Sequence, residues 1–282
     1  MNPLQFLTDA HVAIVAGKGG VGKTTVTAVL ARAAADRGLR VLVVELDGKP
    51  TLASLVGDDI HCLALTPTAA LAEYLDTHGL GRVAKRLATS GVIEVVATAA
   101  PGIDDIVVLG KIKQLEQSGT YDLIVVDGPA AGHAITFLMA PANLLKLVRG
   151  GPIRSQATEV AELLFDPARS QVILVTLPET TPVNEVIETA EALEHDGGLR
   201  LGPVVVNAFD QGEDLPAELA PHDTPLRAAA EFRNARRDLH RREALRLAQS
   251  LDLEQLRLPL IAAPSFGRDT IEELAMHLGK QE

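Results

Sequence analysis

The chain is poor in sulfur and in aromatic side chains: 282 residues hold one cysteine, three methionines, two tyrosines, six phenylalanines and no tryptophan. With Cys62 alone there is no internal disulfide, no CxxC zinc or redox pair and no thiolate triad for a soft metal, so no zinc is expected and a reducing cytoplasm is compatible. Basic charge is also short, because 26 Lys and Arg face 37 Asp and Glu for a formal net charge of -11. Nucleic-acid binding needs clustered cations to neutralise phosphates, so that balance argues against a surface devoted to it, although one helix can still be locally basic. Long apolar runs are missing too. Residues 1–6 lack a basic stretch followed by an apolar one, and residues 135–148 are interrupted by Pro141, Asn143 and Lys146. Neither a targeting segment nor stable membrane insertion is therefore expected, and a cytoplasmic location is the reading.

With 47% hydrophobic content, the chain can bury a sizeable core, and it reads as a single domain over residues 1–282. Apolar runs rich in Val, Ile and Leu recur at 12–16, 41–46, 92–97, 122–127, 171–177, 202–207 and 258–262, separated by stretches with helical spacing. Such alternation predicts an α/β fold with a mainly parallel, twisted sheet of about seven to eight strands and helices on both faces. Residues 139–170, with breaks at Pro141, Gly150-Gly151-Pro152 and Pro167, read as a small insertion of two short helices. Residues 210–224 read as an irregular loop, and a helix follows from Leu226 to about Ser250. That helix carries Arg233, Arg236, Arg237, Arg241, Arg242 and Arg246 interleaved with Glu231, Asp238 and Glu243, the pattern of a solvated charged face rather than a dedicated polyanion site.

Directly after the first strand stands Gly17-Lys18-Gly19-Gly20-Val21-Gly22-Lys23-Thr24-Thr25, which satisfies G-x-x-x-x-G-K-[ST]. Glycines let successive backbone N–H groups converge on an anion, and the helix that follows adds the positive end of its dipole. The pattern predicts a P-loop NTPase fold binding a nucleoside triphosphate and Mg²⁺, with Lys23 on the β- and γ-phosphates and Thr24 on the metal. No internal repeat is visible and only one phosphate loop is present, so any second nucleotide site must come from another chain.

Polar residues cluster at the predicted strand ends, where ligands gather in parallel sheets. Asp47, just past the second strand, is the candidate for orienting the water that attacks the γ-phosphate and for a place near the metal. Glu45, two residues earlier, reads either as a group behind the site or as a solvent-facing side chain. Asp122-Leu123-Ile124-Val125-Val126-Asp127 is an apolar strand ending in an acid, the Walker B pattern, in which Asp127 holds Mg²⁺ through water. The Gly128-Pro129-Ala130-Ala131-Gly132-His133 segment reads as a small-residue loop able to change conformation with the γ-phosphate. His133 sits at its junction with a helix, where a lone histidine more often serves structure than catalysis.

Lys18, at the second position of the loop, gives the G-K-G-G-V-G-K-T-T form that resembles the deviant Walker A ATPases. The order of Pro101-Gly102-Ile103-Asp104-Asp105, Asp127 to His133, Thr176-Leu177-Pro178-Glu179 and Val205-Val206-Asn207 is similar to that of the arsenite-pump and tail-anchored-protein-targeting (Get3-like) ATPases. Gly110-Lys111-Ile112-Lys113 and Gly150-Gly151-Pro152-Ile153 look like the actinobacterial branch of that family. The resemblance implies a cytosolic ATP hydrolase acting as a switch, with Mg-ATP binding and hydrolysis opening and closing a homodimer or a heterodimer with a paralogue, and with a possible protein client. It also implies that Lys18 touches phosphates bound by the other subunit and that Asn207 contacts adenine.

The chain departs from the family at Asp47-Gly48-Lys49-Pro50, where Asp-Pro-Ala-His is usual, and it lacks both a CxxC pair and a Met-rich subdomain for transmembrane clients. Two other readings remain open. One is a ParA/MinD-like partitioning or positioning ATPase, disfavoured by the acidic C-terminal helix around Glu272-Glu273. The other is a weakly hydrolysing regulatory subunit of a paralogue pair, which the altered first switch keeps alive.

Overall fold

The computed structural model describes residues 5–46, 51–77, 102–196, 198–216, 224–262 and 266–280. Asp47, Gly48, Lys49 and Pro50, Pro101 and the strand expected at 92–97 lie outside them. Among the described residues, seven runs of aliphatic character form one sheet in the order β3-β2-β4-β1-β5-β6-β7. They are β1 (Val12–Gly17), β2 (Val41–Glu45), β3 (His61–Ala64), β4 (Leu123–Ala130), β5 (Ser170–Thr176), β6 (Val204–Phe209) and β7 (Gln255–Pro259). All ladders are parallel. The helices are α1 (Phe6–Asp9), α2 (Lys23–Ala35), α3 (Leu52–Val56), α4 (Pro67–Thr77), α5 (Ile103–Gln117), α6 (Ala131–Leu147), α7 (Pro152–Phe165), α8 (Thr180–Glu191), α9 (Thr224–Ser250) and α10 (Arg268–Gly279).

Strand side chains alternate between two buried layers, as the pleat requires. Val12, Ile14, Ile124 and Val126 enter a core with residues of α5 to α9, whereas Ala13, Val15, Leu123 and Val125 enter a second core with α2, α3 and α10. Burial on both faces explains why the central strands read as continuous apolar runs.

Three expectations are corrected. β3 was not foreseen, because His61-Cys62-Leu63-Ala64 is an edge strand of four residues with exposed ends. β7 begins at Gln255 rather than 258, since its exposed Arg257 alternates with the buried Leu256 and Leu258 and breaks the apolar run. Pro141 does not end a helix: α6 runs through it from Ala131 to Leu147. Proline there forgoes one backbone donor, while Phe137, Leu138, Ala140 and Leu144 on the same helix are buried and hold it in place. Within residues 139–170, α7 buries Val160, Leu163 and Leu164 against the sheet.

Candidate nucleotide site

The first strand and the helix after it set the geometry. β1 ends in Gly17, the loop turns outward with Gly19 and Gly20 at an open tip, and Val21 folds back into the core before α2 starts at Lys23. Gly22 caps α2 at φ 89°, a left-handed conformation that a side chain resists, and a Cβ there would also overlap the Asn207 amide nitrogen. Asn207, near the end of β6, donates through that nitrogen to the Val21 carbonyl at 2.9 Å. Its Oδ1 is thereby left as the acceptor. The next residue, Ala208, holds φ 54°, and the β6–β7 register shifts between Val206 and Phe209. A strained alanine inside that irregularity turns the end of β6 and sets the direction of Asn207.

Lys23 and Thr24 occupy the first turn of α2 with the half-buried Thr25 behind them. The Lys23 ammonium donates to the Lys18 carbonyl at 3.2 Å. Burial pulls its pKa below the ordinary lysine range, and the nearby Asp127 carboxylate opposes that shift. The Thr24 hydroxyl donates to Asp127 Oδ2 at 2.7 Å, and one turn on the fully buried Thr27 donates to Asp127 Oδ1 at 3.3 Å. Asp127 lies on β4 opposite Val15 of β1 and Glu45 of β2, at the carboxyl ends of the central strands.

The segment after Asp127 differs from expectation. Gly128, Pro129 and Ala130 continue β4, with Ala130 paired to Gly17 after a bulge, and Gly132 and His133 fall in the first turn of α6, so no free loop separates strand from helix. β4 passes so close to β1 that a Cβ on Gly128 would overlap the Val15 carbonyl oxygen. The exposed His133 looks into a cleft of about 250 Å³ shared with Leu46, Asp105, Val108, Pro129 and Phe137. Burial raises the Asp105 pKa, the neighbouring Asp104 adds to this, and His133 works against it.

Lys18 extends from the loop to α8, where its ammonium lies 2.5 Å from Glu185 Oε1. Glu45 is not solvent-facing: it is 2% exposed and accepts the backbone N–H groups of Thr51 and Leu52 at 2.8 and 2.9 Å, capping α3. Beside Glu45, burial pushes the Cys62 thiol up to about 11, and the carboxylate adds to the shift.

The arginines of α9 are largely engaged within the chain. Arg237, 2% exposed, pairs with Asp214 at 2.5 Å, Arg233 with Asp210 at 3.1 Å, Arg236 with Glu179 at 3.5 Å and Arg246 with Glu243 at 2.6 Å.

A parallel sheet with a glycine loop leading into a helix, and a threonine and an aspartate joined beneath that loop, defines the class of P-loop nucleotide hydrolases. The family described as anion-transporting ATPase matches residues 10–150. ATPase BagA of Mycobacterium tuberculosis is 34% identical over 249 residues, covering 80% of this chain and 71% of BagA. An arsenical pump-driving ATPase of Escherichia coli is 28% identical over 92% of this chain but 43% of its own length, and ATPase ARSA1 of Chlamydomonas reinhardtii is 27% identical over 72% of this chain and 35% of its own. The chain belongs to the anion-transporting (ArsA) ATPase family and is an ATPase of that type. Among the described residues no helix is long and apolar enough to cross a membrane.

Proposed function

We propose that the chain is a Mg²⁺-dependent ATP hydrolase that works as a dimeric switch, pairing with itself or with a paralogue. The observation that carries this reading is the Thr24–Asp127 contact at 2.7 Å under a loop whose helix begins with Lys23. A hydroxyl and a carboxylate are the hard oxygen donors that Mg²⁺ takes, and a site of this kind supplies few protein ligands and leaves the rest to water and phosphate. When bound, the metal would supply positive charge to offset the charge on the phosphate oxygens.

Lys23 binds the β- and γ-phosphates as a point charge, and its partial burial strengthens the attraction. Thr24 and Asp127 hold the metal, Asp47 orients the attacking water, and the loop amides of Gly17, Gly19, Gly20, Val21, Gly22 and Thr25 cradle the phosphates. Asn207 offers Oδ1 to an exocyclic amine, the group that adenine presents and the guanine carbonyl does not, which favours ATP. Gly128 and Pro129 at the end of β4, with Gly132 and His133 in the first turn of α6, respond to the γ-phosphate. Lys18 acts on the partner's nucleotide once it leaves Glu185. The carboxylates that hold Arg233, Arg236, Arg237 and Arg246 speak against α9 as a DNA-binding face of the partitioning type.

Light scattering after size exclusion, with ADP and with a non-hydrolysable ATP analogue, tests the reading. A dimer formed or stabilised by the analogue is the expected result; a monomer under both conditions overturns self-pairing and directs the search to a sister subunit.

A further inference from the structure

The geometry points to Thr27 as a positioning residue for the metal-holding acid. Thr27 has no exposed surface, stands one turn behind Thr24 on the same face of α2, and donates to the oxygen of Asp127 that Thr24 does not use. The carboxylate therefore receives a hydroxyl on each oxygen from one rigid helix. Two donors on two oxygens fix the rotation of the carboxylate plane about its Cβ–Cγ bond, which one donor leaves free. Thr24 is also the residue whose hydroxyl would be drawn to a bound metal. Thr27, with no exposed surface, would keep its bond to Asp127 and hold the acid aligned. A buried hydroxyl in the middle of a helix is otherwise a poor choice, because alanine or leucine forms helix better and fills an apolar layer without a polar group. Val26, Ala28, Val29 and Leu30 around it bring no polar side-chain group into that layer, and Thr27 does.

This inference rests on the Mg-ATP reading above, and its test separates the two. The probe is the fluorescence of a methylanthraniloyl ATP derivative on the full chain, titrated with Mg²⁺ and repeated in EDTA, for the wild type and for Thr27→Val and Thr27→Ser. If Thr27 positions Asp127, Thr27→Val leaves nucleotide affinity in EDTA unchanged and raises the Mg²⁺ concentration for half-maximal tightening by roughly tenfold, as loss of a group behind a metal ligand does elsewhere. Thr27→Ser returns it to the wild-type value. Equal Mg²⁺ requirements in Thr27→Val and wild type overturn the inference while leaving the Mg-ATP reading intact. A wild type that binds the probe without regard to Mg²⁺ overturns that reading itself. Should Thr27→Val fail to fold, Thr27→Ala, which removes the hydroxyl without adding a methyl, carries the same comparison.

Discussion

The end of β1 and the outer helix α9 both carry cations, and they use them in opposite ways. Along α9, Arg233, Arg236, Arg237 and Arg246 are committed to carboxylates of the same chain. Around the phosphate loop, Lys23 is half-buried and bonded to a backbone carbonyl, with Asp127 near enough to oppose the loss of its proton but tied to hydroxyls rather than to it. A guanidinium is the better permanent partner for a carboxylate, and an ammonium on a flexible stem is the better visitor to a phosphate. The number of cations in a stretch of sequence therefore says less about polyanion binding than whether each already has an internal partner.

The largest expected effect breaks the phosphate-loop side. Lys23→Ala lowers ATP affinity by about a hundredfold or more, because it removes a charge-assisted contact made in a partly desolvated place, whereas Arg236→Ala on α9 changes it less than about twofold. Equilibrium binding of a fluorescent ATP derivative measures both, and equal losses would erase the contrast. Next comes the buried end of α9. Asp214→Ala leaves the Arg237 guanidinium enclosed without its partner, in a spot where its Nε already has none, and lowers folding stability by about 1–2 kcal/mol in urea unfolding. Arg237→Met, which removes the enclosed charge instead, is expected to cost less, and the reverse order would show that the pair is a net stabiliser.

The smallest effect lies at neither place. Asp122 joins the start of β4 to Arg40 before β2, accepting from the Arg40 backbone at 2.8 Å and from its guanidinium at 2.7 Å, and these contacts hold its carboxyl down at about 2. A carboxylate depressed in the fold contributes stability above its ordinary value and loses it as pH falls towards about 2. Thermal melts between those limits should show a slope that Asp122→Asn flattens; unchanged curves would mean solvent screens the pair entirely.

The turn of the phosphate loop was legible in the sequence because its demands fall on the backbone. Gly22 must adopt a left-handed turn, so residue type and spacing record the geometry directly, whereas Gly128, read as the start of a loop, continues β4. The central strands were legible for a similar reason, since burial on both faces removes any choice of polarity. Roles that depend on a distant partner were not. Nothing local tells that Glu45 caps α3, that Lys18 rests on Glu185 of α8, or that Thr27 meets an acid a hundred positions away. β3 escaped for another reason: an edge strand needs only a few residues and tolerates exposed ones, so His61 and Cys62 give no apolar signature.

Helix α2 is walled in by Ala13, Val15 and Val125 of the sheet on one side and by Ile271, Leu274, Ala275 and Leu278 of α10 on the other, with Val26 to Ala31 fully covered. Interiors packed to this density do not accommodate a displacement of even a methylene without opening a void or a clash. On the proposed reading the helix is a fixed reference for a bound nucleotide, so any response to it would fall to the polar ends of β4 and β6 and to Lys18.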